Sequence, residues 1–419
     1  MKVLVAHNFY QQPGGEDQVF ADEVAMLREH GHTVIEHTVH NDSVAQLRKL
    51  ELAKKTLWNQ AAHDEFVQII RRERPEIAHF HNTFPLLSPA VYYACHSEGV
   101  KVVQTLHNFR LFCPAATFFR DGHVCEDCMH AIAPWPAVAH ACYRGNRAAS
   151  AVSASMLVYH RVKRTWQDEV DIYIALTEFS RQKFIEGGLP PEKIVVKANF
   201  VSHDPGEGSG GEDYIVFIGR LVPEKGILTL LDAWMRFNPP FPLKIIGDGP
   251  MRSAVESAAA QNSAVQYLGR RTLSDVHAIV GSSRGLVFSS EWYETFGRTI
   301  VEAYATGTPV IASRIGGVPE LVRDGQTGLL FTPGDSGGLA QAVRKLASLT
   351  GEDLRIMRHQ CRKEFLNNYT TSQNYPMLIQ AYERALGAAP ANNKAANATL
   401  HGPSSHDNGA LSAEQRVQG

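Results

Sequence analysis

The sequence predicts an α/β protein of two doubly wound domains, and three observations carry that expectation. Short apolar runs alternate with helical patterns along most of the chain. The runs are continuously apolar, as strands buried on both faces of a parallel sheet are. A stretch over 203–212, rich in Gly and Pro, cannot sustain an element and divides the chain near its middle. At 419 residues there is room for two ordinary cores.

Strands are expected in order at 2–6, 33–36, 77–81, 100–106, 172–176 and 194–196 in the first half. The second half continues at 214–219, 243–246, 265–267, 285–288, 310–312 and 329–331. The reading gives an N-terminal acceptor-side domain over 1–203, with a Cys-rich insert at 113–142, and a linker over 204–212. A C-terminal donor domain over 213–372 precedes a helix over 373–386 that packs back on the first domain. Residues 387–419 have no aromatic side chains and too little apolar surface to offset ordering entropy, so they are expected to be disordered.

The formal net charge is −2, so no global basic field points to nucleic acid. No apolar run reaches the roughly 18–20 residues that span a bilayer. The apolar start, Met1 to Ala6, is too short for a secretory leader and reads as a first strand. The chain is therefore expected in the cytoplasm, where the sequon at Asn397 would stay unglycosylated. Cys95 and Cys361 read as small apolar residues.

The most informative segment runs from Ser289 through Glu294 to Glu302. It follows an apolar strand, and helical periodicity begins near Phe296 and stops at Gly307. Ligands of open α/β sheets bind at strand carboxyl ends. Unpaired N–H groups of Phe296, Gly297 and Arg298 at the helix start would form an anion site for phosphate. Glu294 and Glu302 are separated by about 12 Å of helix at ~1.5 Å per residue. They can hold two hydroxyl-bearing groups either side of a diphosphate, but not one atom. Gly219 ends the strand at 214–219, Arg220 and Lys225 follow it, and the two cations suit a diphosphate without a metal.

These segments, with Gly247-Asp248-Gly249-Pro250 and the run Gly316 to Glu320, resemble the donor domain of family 4 glycosyltransferases. The resemblance extends to about residue 386. It implies the GT-B fold, two Rossmann-like domains facing a central cleft, and retaining transfer. It implies that Arg220 and Lys225 bind the diphosphate, Glu294 the sugar hydroxyls and Glu302 the ribose. Gly247, Phe296, Gly297, Arg298 and Thr299 complete the donor-binding set. A Rossmann dehydrogenase fits less well, because Arg252 stands where its fingerprint needs a third glycine.

In the first half Gly14 and Gly15 follow the first strand, and paired glycines let backbone approach a ligand. The resemblance puts this loop near the donor phosphate and the acceptor. It also puts His107, at a strand end beside Asn108, next to the donor sugar. A His there can hydrogen-bond a hydroxyl. His79 and His81 read as structural or supporting. Cys113, Cys125, Cys128 and Cys142 include a Cys-x2-Cys half-site and could hold a structural zinc, with His123, His130 and His140 as alternative ligands. A set of reduced cysteines in a loop is the other reading. Residues 144–167 combine helical apolar spacing with basic residues, which suits either an anionic membrane surface or a core helix with a basic edge.

The expected activity is retaining transfer of a hexose from a UDP- or GDP-type sugar to a hydroxyl on a lipid-linked or saccharide acceptor. Catalysis would need no cofactor. The expected setting is bacterial surface polysaccharide or glycolipid synthesis, at the inner face of the plasma membrane. Closure about the linker would exclude water. A phosphorylase, an epimerase or a non-catalytic sugar-nucleotide binder are the alternatives.

Overall fold

A computed structural model describes residues 1–12 and 14–387. Apart from Gly387, the tail expected over 387–419 lies outside the described residues, as does the sequon. The first half contains β1 (Lys2–Phe9), β2 (Thr33–His40), β3 (Ile77–Asn82), β4 (Lys101–Thr105), β5 (Phe119–Arg120), β6 (His123–Val124), β7 (Ile172–Ala175) and β8 (Ile194–Val196). The second half contains β9 (Ile215–Ile218), β10 (Leu243–Ile246), β11 (Val265–Gly269), β12 (Gly285–Phe288), β13 (Val310–Ser313) and β14 (Gly328–Phe331). Every strand expected from the sequence is present. β1 and β2 run past their expected ends, because β1 pairs with β2 in unbroken register from Lys2–Thr33 to Phe9–His40.

The first 6-stranded sheet has the order β2-β1-β3-β4-β7-β8, and the second has the order β11-β10-β9-β12-β13-β14. All neighbours within these two sheets are parallel. The chain reverses its winding between β1 and β3 in one sheet and between β9 and β12 in the other. Those switch points leave a crevice at the strand ends, where open sheets bind ligands. Helices cover both faces through apolar stripes, as in Ile227–Phe237, which buries Ile227, Leu230, Leu231 and Trp234.

The Gly- and Pro-rich stretch is an ordered strap rather than a free tether. Gly208 and Gly210 donate to the carbonyls of Thr306 and Gly281, and Glu212 donates to that of Ser282. Arg362 grips Asp204 from the second domain. All of these bonds tie the strap to the second domain. Further on, the helix Thr371–Ala385 returns to the first domain, where Leu378, Ala381 and Tyr382 pack with Val103, Ile172 and Ile174. No helix among the described residues is long and apolar enough to cross a membrane.

Candidate functional site

At the second switch point, the loops after β9 and β12 meet. Gly226, with φ +67°, lets the first loop turn under the second: a Cβ there would lie 1.9 Å from the carbonyl oxygen of Ser289. Gly247 is as constrained, since a Cβ would lie 1.9 Å from the Gly219 oxygen at φ +142°. The result places Lys225 Nζ 2.5 Å from Glu294 Oε1. Ser290 Oγ and Trp292 Nε1 donate to the same oxygen, at 2.5 and 2.6 Å. Glu294 is thus a buried carboxylate satisfied on one oxygen by three donors. Arg220 is exposed and has no ion-pair partner among the described residues.

The helix after this loop is Arg298–Ala305, two residues shorter at its start than expected. Phe296 is buried against Tyr369 instead of joining the helix, and Gly297 caps it at φ −96°, ψ 79°. The donors at its start are correspondingly shifted. Phe296, Gly297, Arg298 and Thr299 all present backbone N–H groups without a partner among the described residues. The buried hydroxyl of Thr299 is unpartnered too. Such an array suits an anion.

Arg298 carries more than its backbone. Its Nη2 lies 2.8 Å from Asp22 Oδ2 in the first domain, and its Nε 2.8 Å from Glu302 Oε1. Glu302 is therefore held by an arginine that also ties the two domains together. The sequence reading did not find Asp22.

The two domains also meet around Thr295. Its hydroxyl donates to the carbonyl of His107 at 2.8 Å, and its own carbonyl accepts from Thr177 at 3.0 Å. Glu320 of the second domain accepts the N–H groups of Glu178 and Phe179, at 2.8 and 2.5 Å. It thereby caps the helix Glu178–Glu186 of the first. His107 is thus held one residue from Glu294. Its Nε2 lies 3.0 Å from Nδ1 of His81. Burial and the neighbouring His81 keep the His107 imidazole well below its ordinary range.

Gly14 caps the helix Gly15–Glu29, its N–H donating to Asp17 Oδ2 at 2.7 Å. A Cβ on either Gly14 or Gly15 would meet open space. Glu16 follows, and Asn108 donates to its Oε2 at 3.3 Å. Its Oε1 is sealed from solvent without a partner. Burial pushes the Glu16 carboxyl up to about 7, against the pull of Tyr10 and Asn108.

The four insert cysteines share one neighbourhood, with Cys113 and Cys125 in electrostatic reach of both Cys128 and Cys142. Burial raises the Cys128 thiol to about 11, while the backbone N–H of Ala137 pulls it down. Asp127 offers its backbone N–H to Cys125 in the same way. Among the described residues, however, the group of three ligand atoms lying within 4.8 Å of one another is Glu23, His79 and His81. His123, His130 and His140 are exposed.

The basic stretch at 144–167 forms the helices Arg147–Val162 and Thr165–Asp168, broken at Arg164 with φ 56°. Met156, Leu157 and His160 are buried, so the apolar face serves the core. Arg161 donates to the Ala131 carbonyl at 2.6 Å and is not free for an outside partner. Val162 at the helix end, with Ile132 and Trp135 nearby in sequence to Ala131, is exposed at 77%, 89% and 67%.

Residues 13–204 match the family described as Glycosyltransferase Family 4, and residues 212–348 match Glycosyl transferases group 1. An uncharacterised glycosyltransferase of Methanocaldococcus jannaschii is 31% identical over 46% of this chain and 54% of its own length. A phosphatidyl-myo-inositol mannosyltransferase of Mycobacterium leprae is 28% identical over 55% of this chain and 64% of its own. The chain thus spans less than two thirds of either relative. Among solved structures, Anabaena HepE with UDP-glucose superposes at a TM-score of 0.66, with 18% identity over 91% of this chain and 99% of that one. The two family models together span both domains, and the chain belongs to the family 4 glycosyltransferases with the GT-B fold.

Proposed function

We propose that the protein transfers a hexose from a nucleotide diphosphate sugar to a hydroxyl acceptor, retaining the anomeric configuration. The observation that carries this reading is the row of unpartnered N–H groups from Phe296 to Thr299 beside the Lys225–Glu294 pair. The leaving diphosphate gains negative charge as the glycosidic bond breaks. Oriented N–H groups and cations stabilise that charge without reorganising. Lys225 and Arg220 supply the cations, Glu294 holds the sugar hydroxyls and Glu302 the ribose. The acceptor hydroxyl attacks on the face the diphosphate leaves, and the departing phosphate oxygen takes its proton. HepE holds UDP-glucose on the same architecture, which supports a UDP- or GDP-type donor.

The four cysteines would have to draw closer to hold a structural zinc, since no three of their sulfurs lie within 4.8 Å of one another; their shared neighbourhood and the backbone N–H groups aimed at Cys125 and Cys128 support that reading. The exposed Ile132, Trp135 and Val162, beside Lys163 and Arg164, rest on an anionic membrane and bring the enzyme to a lipid-linked acceptor of surface polysaccharide or glycolipid synthesis. The activity is tested with purified protein, a panel of nucleotide sugars and an acceptor extract, read by NMR of the anomeric proton. A glycoside of the donor's configuration supports transfer. A sugar phosphate formed from added phosphate would show a phosphorylase, an isomerised donor an epimerase, and binding without turnover a carrier.

A further inference from the structure

Between Trp292 and Glu294 stands a tyrosine that the proposed donor site does not use. Trp292 Nε1 turns to Glu294 Oε1 at 2.6 Å, within the second domain. Tyr293, between them, faces the first domain instead. It packs against the apolar cluster of that domain, to which the stretch 113–142 contributes Cys113, Phe118 and Met129. Among the described residues it is the one hydrophobic side chain of the second domain packed on that cluster.

Two first-domain side chains seat the ring, both from the helix Glu178–Glu186. Phe179 meets it nearer edge-on than stacked, with ring centroids 5.0 Å apart at 67°. Lys183, one turn on, holds its Nζ 5.5 Å from the ring centroid, within the range of a cation–π contact. Lys183 is fixed in turn by two carboxylates, with Glu186 Oε2 at 2.8 Å and Glu126 Oε1 at 2.9 Å. Its side chain is only 15% exposed, so water screens these contacts little. Glu126 lies between Cys125 and Cys128, so the Cys-rich insert reaches the donor loop through Lys183.

Such a contact would matter little to Glu294 if the loop were slack, but its backbone is pinned. Gly316 packs directly under it: a Cβ there would lie 2.6 Å from the Glu294 nitrogen and 2.7 Å from its carbonyl oxygen. The Gly317 N–H donates to that oxygen at 2.9 Å. The loop is thus held by its own domain on one side and by the first domain, through Tyr293, on the other. A shift at Tyr293 passes to Glu294. We propose that Tyr293 is a positioning residue: docked on Phe179 and Lys183, with Lys183 braced by Glu126 of the insert, it sets the Glu294 carboxylate against the transferred sugar. The docking follows from the contacts alone, while its effect on a sugar rests on the transferase reading above.

The test is ¹⁹F NMR of the full-length protein carrying fluorotryptophan, without substrate, alongside calorimetry with UDP and GDP and kinetics with the nucleotide sugar that a panel shows to be turned over. The Trp292 signal, assigned by its loss in Trp292→Phe, reports the donor loop. Lys183→Ala, in the first domain, should move that signal, and so should Tyr293→Ala. The double variant should move it no further than Tyr293→Ala does. Tyr293→Phe keeps the ring and should keep the wild-type signal. Tyr293→Ala should lower kcat/KM for the nucleotide sugar about tenfold or more while UDP and GDP affinities stay within about twofold of wild type, and Tyr293→Phe should restore it. A thermal melt checks that each variant folds, and Lys183→Ala decides the matter if Tyr293→Ala does not. An unmoved Trp292 signal in folded Lys183→Ala would overturn the inference, as would a loss of UDP or GDP affinity in Tyr293→Ala equal to its loss of kcat/KM. A moved signal in a protein that turns over no nucleotide sugar would instead overturn the transferase reading and leave the docking standing.

Discussion

Lys225 Nζ and Glu294 Oε1 lie 2.5 Å apart, although the two residues are 69 positions apart in sequence. The contact joins the loops that leave the two strands flanking the switch point of the second sheet. Without a ligand the pair neutralises itself. In the proposed reaction, a diphosphate that drew on Lys225 would leave Glu294 with two donors, Ser290 and Trp292, and free it to bind sugar hydroxyls.

The two members of the pair should therefore fail differently. A charge-assisted hydrogen bond contributes ~1.5–3 kcal/mol. Lys225→Ala should weaken nucleoside diphosphate binding by about 10–100-fold in calorimetry. Glu294→Gln should leave that affinity within about threefold while kcat drops by at least about a hundredfold. Equal losses of diphosphate affinity in both variants would contradict the division of roles.

Asp22→Asn should loosen the domains. The variant leaves Arg298 with Glu302 alone, and the side chains of the lost pair are only 5% and 14% exposed. Breaking a largely buried pair should cost ~2–4 kcal/mol in urea unfolding. Glu302→Ala should instead raise KM for the donor. A cost within ~0.5 kcal/mol for Asp22→Asn would show that the contact is incidental.

Glu16 gives a pH signature. Its carboxyl titrates near 4.5 when unfolded and near 7 in the folded protein, so the folded state keeps the extra proton between those values. The associated stability is full below pH 4.5 and is lost as the pH rises through 7. Glu16→Gln lacks this loss. Its stability relative to wild type should rise across that window and then level off. A flat difference would mean that Glu16 titrates normally.

Zinc at one equivalent in protein purified without chelator, lost in Cys125→Ser and Cys128→Ser, would support the thiolate site. Metal-free protein with four titratable thiols and an unchanged melting temperature would reject it.

Flotation with anionic liposomes should retain the protein at low salt and release it as salt rises. Trp135→Ala with Ile132→Ser should lose the binding without lowering activity on a water-soluble acceptor. Full flotation of this variant would place the membrane contact elsewhere.

The fold was legible because strands buried on both faces of a parallel sheet are continuously apolar, and β8, β10 and β12 appear within their expected bounds. The Glu294–Glu302 segment was legible because its spacing and strand context coincide. The helix start was misplaced because Phe296 is apolar for packing on Tyr369 rather than for helical periodicity. Asp22, Glu23 and Lys197 escaped because periodicity reports burial and not partners. Glu23 did leave a trace: it lies on the stripe of Phe20, Val24 and Leu27, where a charge must find a buried counter-charge. That partner, Lys197, follows β8 in a different part of the chain.

The most direct test of the account is nucleoside diphosphate release by purified protein across a panel of nucleotide sugars, with and without acceptor. One donor should give acceptor-dependent release that matches the glycoside formed, and both Lys225→Ala and Glu294→Gln should abolish it in a folded protein. Undiminished release in either variant, or no release from any donor with acceptor present, would contradict it.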